Sequence, residues 1–313
     1  MFGKKVVADM ISRSAENEHD RRSFLRAAGV AGLGTVGAVA LAGAGTEAAS
    51  AAPRPGGPSD SAILNFALNL EYLEAQFYSY AYWGDGLDSS YLTGTQTQGK
   101  VTGGKKVHFK SKAIKAYARE IAGDERNHVA FLRSALGSAK VSMPDIDLKT
   151  SFTAAARAAG LIKSHQTFDP FANENNFLLG AFLFEDVGVT AYKGAAPLID
   201  NPDYLEAAAG ILAVEAYHAG IVRSSLYQKG LFSEVKKLSD VRDAVDGSSD
   251  DDQPLRGSRK HANLVPTDAN SLVYSRSAAN VLNIVYLTPA KVTKGGFFPT
   301  GVHGEINSSN DNA

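Results

Sequence analysis

Residues 125–128 are Glu-Arg-Asn-His and residues 215–218 are Glu-Ala-Tyr-His, so a carboxylate and an imidazole stand three positions apart in both stretches. In a helix, this spacing places the two side chains on the same face. The apolar context repeats as well, with Ile121 and Ile211 each four positions before the glutamate. Ionisable groups within an apolar stripe are costly unless they are paired or bind a metal. The two stretches therefore predict two halves of one metal site.

Two other segments with helical periodicity contain a single glutamate in a matched setting. Glu71 and Tyr78 are seven residues apart, as are Glu185 and Tyr192. The chain thus repeats a helix with one glutamate followed by a helix with Glu-x-x-His, which predicts two antiparallel helix pairs related by an approximate two-fold axis. The four predicted helices run from about Asp60, the expected N-cap, to Trp83, and over about 112–136, 173–195 and 202–229.

Side chains from all four helices would then meet at one level of a bundle, which matches the rule for carboxylate-bridged dinuclear sites. Four ionised glutamates in an apolar core need compensating charge, and two divalent cations would supply it. Carboxylate and imidazole ligands suit iron or manganese, with zinc as an alternative. Two of the ligands, Glu125 and Glu215, are predicted to bridge the metals and to be the catalytic residues. The predicted metal ligands are Glu71, Glu125, His128, Glu185, Glu215 and His218.

One ligand position has an alternative. Glu74 lies one turn after Glu71 on a similar helix face and could replace it. The repeat aligns Glu71 with Glu185 but Glu74 with Gly188, which favours Glu71. Tyr78 and Tyr192 are interpreted as core tyrosines, with a supporting or redox role at the site as the alternative.

Composition excludes several other classes of site. The chain of 313 residues has no cysteine, which excludes disulfides, iron–sulfur clusters and thiolate zinc sites. Its formal net charge of -1 gives no indication of nucleic-acid binding. With 44% hydrophobic residues, the chain can bury a substantial core.

The N-terminal region resembles a twin-arginine export signal. Arg21 and Arg22 precede a run of small apolar residues over about 27–45, and the small residues at 48–51 offer cleavage sites. The run is poorer in large aliphatic residues than a membrane-spanning helix, so no stable span is expected after cleavage. Residues 1–52 are therefore predicted to be an export signal and linker that directs the protein to the periplasm, the cell envelope or the extracellular space. Retention by an uncleaved anchor is the alternative.

Residues from about 59 to 229 resemble the ferritin-like superfamily. The stretch 68–78, Leu-Asn-Leu-Glu-Tyr-Leu-Glu-Ala-Gln-Phe-Tyr, is similar to a branch of exported bacterial ferritin-like proteins that includes plant desiccation-related proteins, as is 295–301, Gly-Gly-Phe-Phe-Pro-Thr-Gly. The resemblance implies an all-α, up-down four-helix bundle over 53–230. It also implies a long crossover between helices two and three, at 138–172, and a less regular C-terminal extension over 231–313. Without cysteines, the chain is not a complete rubrerythrin.

The C-terminal extension allows fewer predictions. The acidic, serine-rich stretch 246–252 is interpreted as a solvated loop, with a calcium or iron entry patch as the alternative. Residues 271–287 could form one helix packed on the bundle. Phe297 and Phe298 should be ordered by packing, because large apolar side chains are costly to leave in water.

Three functional classes are consistent with this pattern. The first is a stress-protective oxidoreductase with two iron or two manganese ions that reacts with dioxygen or peroxide. The second is iron storage, which requires a shell of many subunits, and a homo-oligomer is expected there. The third is a non-catalytic desiccation or envelope protein. The fold alone does not distinguish them.

Overall fold

The computed structural model describes residues 56–257 and 261–313, and the predicted export signal lies outside them. The described part is almost entirely helical, which confirms the all-α class. Its seven α-helices are α1 (Asp60–Trp83), α2 (Lys112–Leu136), α3 (Thr150–Ala158), α4 (Glu174–Ala195), α5 (Pro202–Gln228), α6 (Phe232–Asp246) and α7 (Ala278–Tyr286).

Four long helices form the bundle. Helix α1 packs along α2 and α4 packs along α5, while α1 also touches α4 and α2 touches α5. The crossover from α2 to α4 contains α3 and the short strand β2 (Ile146–Asp147), which pairs in parallel with β1 (Val101–Thr102) in the loop between α1 and α2. By length and composition α5 is apolar enough to cross a membrane, a test that core helices also pass.

Polar caps define where the bundle helices begin. Ser59, not Asp60, is the N-cap of α1, since its side chain accepts a hydrogen bond from the Ala62 amide at 3.1 Å. The prediction for Asp60 was wrong because its carboxylate instead accepts the backbone amides of Asp200 and Asn201, both at 2.9 Å. These bonds tie the start of α1 to the turn between α4 and α5.

The C-terminal extension packs on the bundle through aromatic and aliphatic side chains. Phe297 and Phe298 are fully buried, as predicted, and the Phe297 ring lies 4.9 Å from that of Phe152 and 5.0 Å from that of Phe184. Helix α7 is shorter than the predicted 271–287 because the Ser277 side chain caps it, accepting the Asn280 amide at 3.1 Å.

The acidic stretch at 246–252 is a solvated loop, as the sequence predicted, only over 248–250, and the aspartates on either side are buried. Asp246, Asp251 and Asp252 are buried because arginines from three parts of the chain reach them or their neighbours. We call this group the aspartate–arginine cluster; its members are Asp186, Arg223, Arg242, Asp246, Asp251, Asp252 and Arg276.

Candidate metal centre

All six predicted ligands are buried and converge between the four bundle helices. Their ligand atoms form overlapping groups in which every atom lies within 4.8 Å of the others. Within these groups, Glu125, Glu185 and Glu215 each belong to two. The groups are Glu71, Glu125, His128 and Glu215; Glu125, Glu185 and His218; and Glu74, Glu185 and Glu215.

The two histidines face the carboxylates through Nδ1. In the first half, His128 Nδ1 lies 3.2 Å from Glu71 Oε2 and 3.6 Å from Glu125 Oε2. In the second half, His218 Nδ1 lies 2.9 Å from Glu125 Oε1 and 3.7 Å from Glu185 Oε2. The helical spacing of three residues thus places both imidazoles at the same cluster of oxygens, as the sequence predicted.

Two tyrosines cross the bundle to hold the single glutamates. The Tyr78 hydroxyl on α1 donates to Glu185 on α4, and the Tyr192 hydroxyl on α4 donates to Glu71 on α1. Each tyrosine therefore supports the glutamate of the other half of the repeat. The interpretation of these residues as core tyrosines alone was incomplete, because a helix pattern cannot show which partner lies across the bundle.

The repeat also extends to a pair of buried arginines five positions after the histidines. Arg133 donates to the Tyr72 hydroxyl at 2.6 Å, and Arg223 donates to Asp186 at 2.7 Å. Tyr72 and Asp186 follow Glu71 and Glu185 directly, so the two contacts are equivalent under the repeat. Both arginines fix the helices that position the ligands.

Asp124 breaks this symmetry. Its Oδ2 atom lies 3.1 Å from Nε2 of His218, on the opposite side of the ring from the glutamates. Metal-binding histidines usually donate their second ring N–H to such a carboxylate, which fixes the tautomer. The matched residue in the other half is Val214, so His128 has no equivalent support. The repeat gave no signal for Asp124.

Burial and mutual repulsion disturb the ionisation of the carboxylates. Burial raises the pKa of Glu71 to about 7 and that of Glu185 to about 8, although the neighbouring histidines oppose the rise. Burial also opposes ionisation of Glu125, but hydrogen bonds from His128 and His218 hold its pKa below the ordinary value.

The neighbouring carboxylates raise the pKa of both imidazoles. Burial disfavours a charged ring, yet the Glu71 carboxylate, followed by Glu125, raises the pKa of His128 to about 11. For His218, hydrogen bonds to Asp124 and then Glu125 outweigh burial and raise the pKa to about 10. The cluster therefore attracts positive charge, here in the form of protons.

Several oxygens at the centre have no hydrogen-bond partner within the described residues. Both oxygens of Glu215 are in this state, as are Glu185 Oε2 and Glu74 Oε2. Burial raises the pKa of Glu74 and Glu215 well above the ordinary value. Buried polar atoms need partners, and carboxylate with imidazole donors suits iron, manganese or zinc. The residues present thus fit bound metal ions.

The structure changes the choice between Glu71 and Glu74. Glu71 lies with Glu125 and His128, as predicted, but Glu74 also reaches the centre, beside Glu185 and Glu215. The repeat had argued against Glu74 because Gly188 stands at the equivalent position. Both glutamates of α1 therefore belong to the cluster.

Carboxylates and paired Glu-x-x-His motifs inside a four-helix bundle define a class of metal-binding bundles. The chain belongs to the ferritin-like domain family, whose family model matches residues 59–228. It is 28% identical over 264 residues to the desiccation-related protein PCC13-62 of Craterostigma plantagineum, covering 79% of this chain and 84% of the relative. It is 24% identical over 271 residues to the ferritin-like catalase Nec2 of Nesocodon mauritianus, covering 79% and 85%. No solved structure matches the chain.

Proposed function

We propose that this protein is a dinuclear iron or manganese enzyme that disproportionates hydrogen peroxide. The main support is the excess of buried carboxylates over basic groups at one point in the bundle. The oxygens of Glu215 accept no hydrogen bond from the described residues, and two divalent cations would satisfy them. Bound there, such a pair of metals supplies reversible two-electron exchange with peroxide.

The side chains have separate tasks in this proposal. Glu125 and Glu215 each join the group of Glu71 and His128 to a group that contains Glu185, which would suit them to bridge the two metal positions. Glu71 and Glu185 bind one position each, and the hydroxyls of Tyr192 and Tyr78 orient them. Asp124 holds the proton on Nε2 of His218, so that Nδ1 faces the centre.

Disproportionation suits this chain because it needs no external electron donor. One peroxide is oxidised to dioxygen while another is reduced to water, so the electrons balance within the substrate. The chain has no cysteine with which to hold an iron–sulfur or rubredoxin-like electron-transfer centre. The similarity to a protein named as a ferritin-like catalase supports the same reaction.

Oxygen release from hydrogen peroxide tests the proposal. Protein that contains about two iron or manganese ions per chain should release one dioxygen for every two peroxides consumed. Glu125→Ala should abolish this release while keeping the helical circular dichroism. Glu120→Ala, at an exposed position of the same helix, should retain it. Full activity in Glu125→Ala would contradict the site assignment.

A non-catalytic stress protein is the second candidate, favoured by the similarity to a desiccation-related protein. It is supported if the purified protein contains no metal and its melting temperature is unchanged in His128→Ala and His218→Ala. Hundreds of iron ions in a shell-sized particle would instead support storage. Export is a further part of the proposal and rests on residues 1–52, which lie outside the described structure.

A further inference from the structure

Glu74 is not one of the six predicted ligands, yet its side chain lies within the candidate metal centre. The side chain is buried, and one of its oxygens is within 4.8 Å of oxygens from Glu185 and Glu215. Its Oε2 atom receives no hydrogen bond from any described residue. A buried carboxylate of this kind is costly to retain unless a cation or a proton compensates it.

The side of Glu74 that faces away from the other glutamates offers no compensation. A narrow pocket between α1, α4 and the C-terminal extension adjoins it there, and the other residues that line this pocket are apolar or glycine, including Leu73, Val187 and Phe297. Among the residues that the structure describes, no basic side chain lines this pocket. Any positive charge that stabilises Glu74 must therefore lie on the side of Glu185 and Glu215.

Gly188 provides the space in which these carboxylates meet. A Cβ atom at this position would overlap Glu215 Oε2 and would lie 3.6 Å from Glu74 Oε1. Gly188 stands in the middle of α4, where glycine costs roughly 1 kcal/mol relative to alanine. The glycine at the position that matches Glu74 in the repeat thus leaves room for Glu215 beside the extra carboxylate.

We propose that Glu74 is a fifth carboxylate ligand of the centre, and that Gly188 keeps the neighbouring place of Glu215 free. This inference rests on the metal centre of the proposed function. Glu74 joins the position formed by Glu185 and His218, while Glu71 and His128 form the other, so the two positions differ. Five ionised carboxylates exceed the charge of two divalent cations by one. The additional charge favours the higher oxidation states of the metals.

Binding of Mn²⁺ to the metal-free, full-length protein tests this ligand. Free Mn²⁺ is counted by its electron paramagnetic resonance signal, so no enzymatic activity is needed. The wild-type chain should bind two ions. Glu74→Gln should bind one with unchanged affinity and the second at least tenfold more weakly. Two ions bound with wild-type affinities would overturn the inference.

A pair of glycine substitutions gives a matched control. Gly188→Ala should weaken Mn²⁺ binding, because the new methyl group displaces Glu215, the carboxylate beside Glu74. Gly210→Ala on α5, where nothing lies within 4 Å of the added carbon, should bind as the wild type does. Equal binding by both variants would overturn the role of Gly188. Circular dichroism melting of the metal-free variants verifies that each is folded.

The outcomes separate this inference from the proposed reaction. A wild-type chain that binds two Mn²⁺ but releases no oxygen from peroxide overturns the reaction and leaves the Glu74 comparison valid. A wild-type chain that binds no metal overturns both. Weakened binding in Glu74→Gln supports the fifth ligand whatever the reaction proves to be.

Discussion

Adjacent residues of α4 belong to two buried acidic clusters of different kinds. Glu185 belongs to the candidate metal centre and Asp186 to the aspartate–arginine cluster. In the second cluster each aspartate pairs with an arginine of the chain itself, as Arg276 does with Asp246 at 2.6 Å and Arg242 with Asp252 at 2.6 Å. In the first, the basic groups that the described residues supply are the two imidazoles of His128 and His218. The two clusters therefore differ in whether permanently charged arginines lie beside the acids, as in the aspartate–arginine cluster, or not, as in the candidate metal centre.

Proximity of acids alone does not make that distinction. Asp243, Asp246, Asp251 and Asp252 are also close enough together to hold a cation. However, Arg276 already pairs with the last three of them, and guanidinium groups keep their charge at every physiological pH. The calcium alternative for this stretch is therefore not favoured, because an arginine occupies the place of the ion.

The largest expected effect comes from breaking the structural cluster. Arg276→Ala leaves Asp246 buried without its partner and removes one of the two arginines that pair with Asp252, and breaking a buried pair in this way typically costs about 3–5 kcal/mol of unfolding free energy. Urea denaturation of the metal-free protein measures this loss. Lys236→Ala, which breaks an exposed pair with Asp240, should cost under about 0.5 kcal/mol. If both variants were equally stable, the buried cluster would not stabilise the fold.

Added metal should stabilise the native protein through the candidate metal centre and not through the aspartate–arginine cluster. At a free metal concentration 100 times its Kd, binding should stabilise the native protein by about 2.7 kcal/mol. His128→Ala combined with His218→Ala should remove this gain, whereas Asp243→Asn should retain it. Calorimetric melting with and without Mn²⁺ measures the gain. If only Asp243→Asn lost the stabilisation, the metal would bind beside Asp243, Asp246, Asp251 and Asp252 and not at the candidate metal centre.

The contrast also explains what the sequence could predict. The six predicted ligands follow helical spacing, which can be recognised from residues only three to seven positions apart in the sequence. The aspartate–arginine cluster joins Asp186 to residues as distant as Arg276, with no periodic pattern between them. The sequence therefore indicated the metal centre but described the stretch 246–252 as a solvated loop. Arginine partners that come from distant segments leave no local signal.

Departures from the repeat were equally hard to predict. The alignment of the two halves placed Glu71 in the candidate centre, where its side chain lies with Glu125 and His128, but set Glu74 aside, because its counterpart is Gly188. That glycine turned out to be the space into which carboxylates extend. Asp124, whose counterpart is Val214, was missed for the same reason. A repeat identifies what two halves share, and the residues that make the halves unequal require the packed structure.

A smaller effect is expected from Asp124, a partly exposed acid that contacts the centre through His218. Asp124→Ala removes the acceptor of the His218 Nε2 proton, which should weaken metal binding about 10–100-fold. Asn127→Ala, at an exposed position of the same helix, should leave binding unchanged. Mn²⁺ titration measures both. Unchanged binding in Asp124→Ala would mean that its contact with His218 does not position the ring.

The smallest expected effect is the pH dependence of the stabilisation by metal. Of the two clusters, only the candidate metal centre should cause it. The pKa values of Glu71 and Glu185 are raised to about 7 and about 8, above the ordinary value of 4.5. In the metal-free protein these groups bind protons more tightly when folded, so their contribution to stability is complete below about pH 4.5 and is lost as the pH rises through 7 to 8. Metal ions must displace the same protons, so their affinity rises over this interval.

The melting temperature of the metal-loaded protein minus that of the metal-free protein should therefore increase from pH 5.5 to pH 8.5. The aspartate–arginine cluster is present in both forms and cancels in this difference. A difference that stays constant with pH would show that the raised carboxyl groups do not release protons when metal binds.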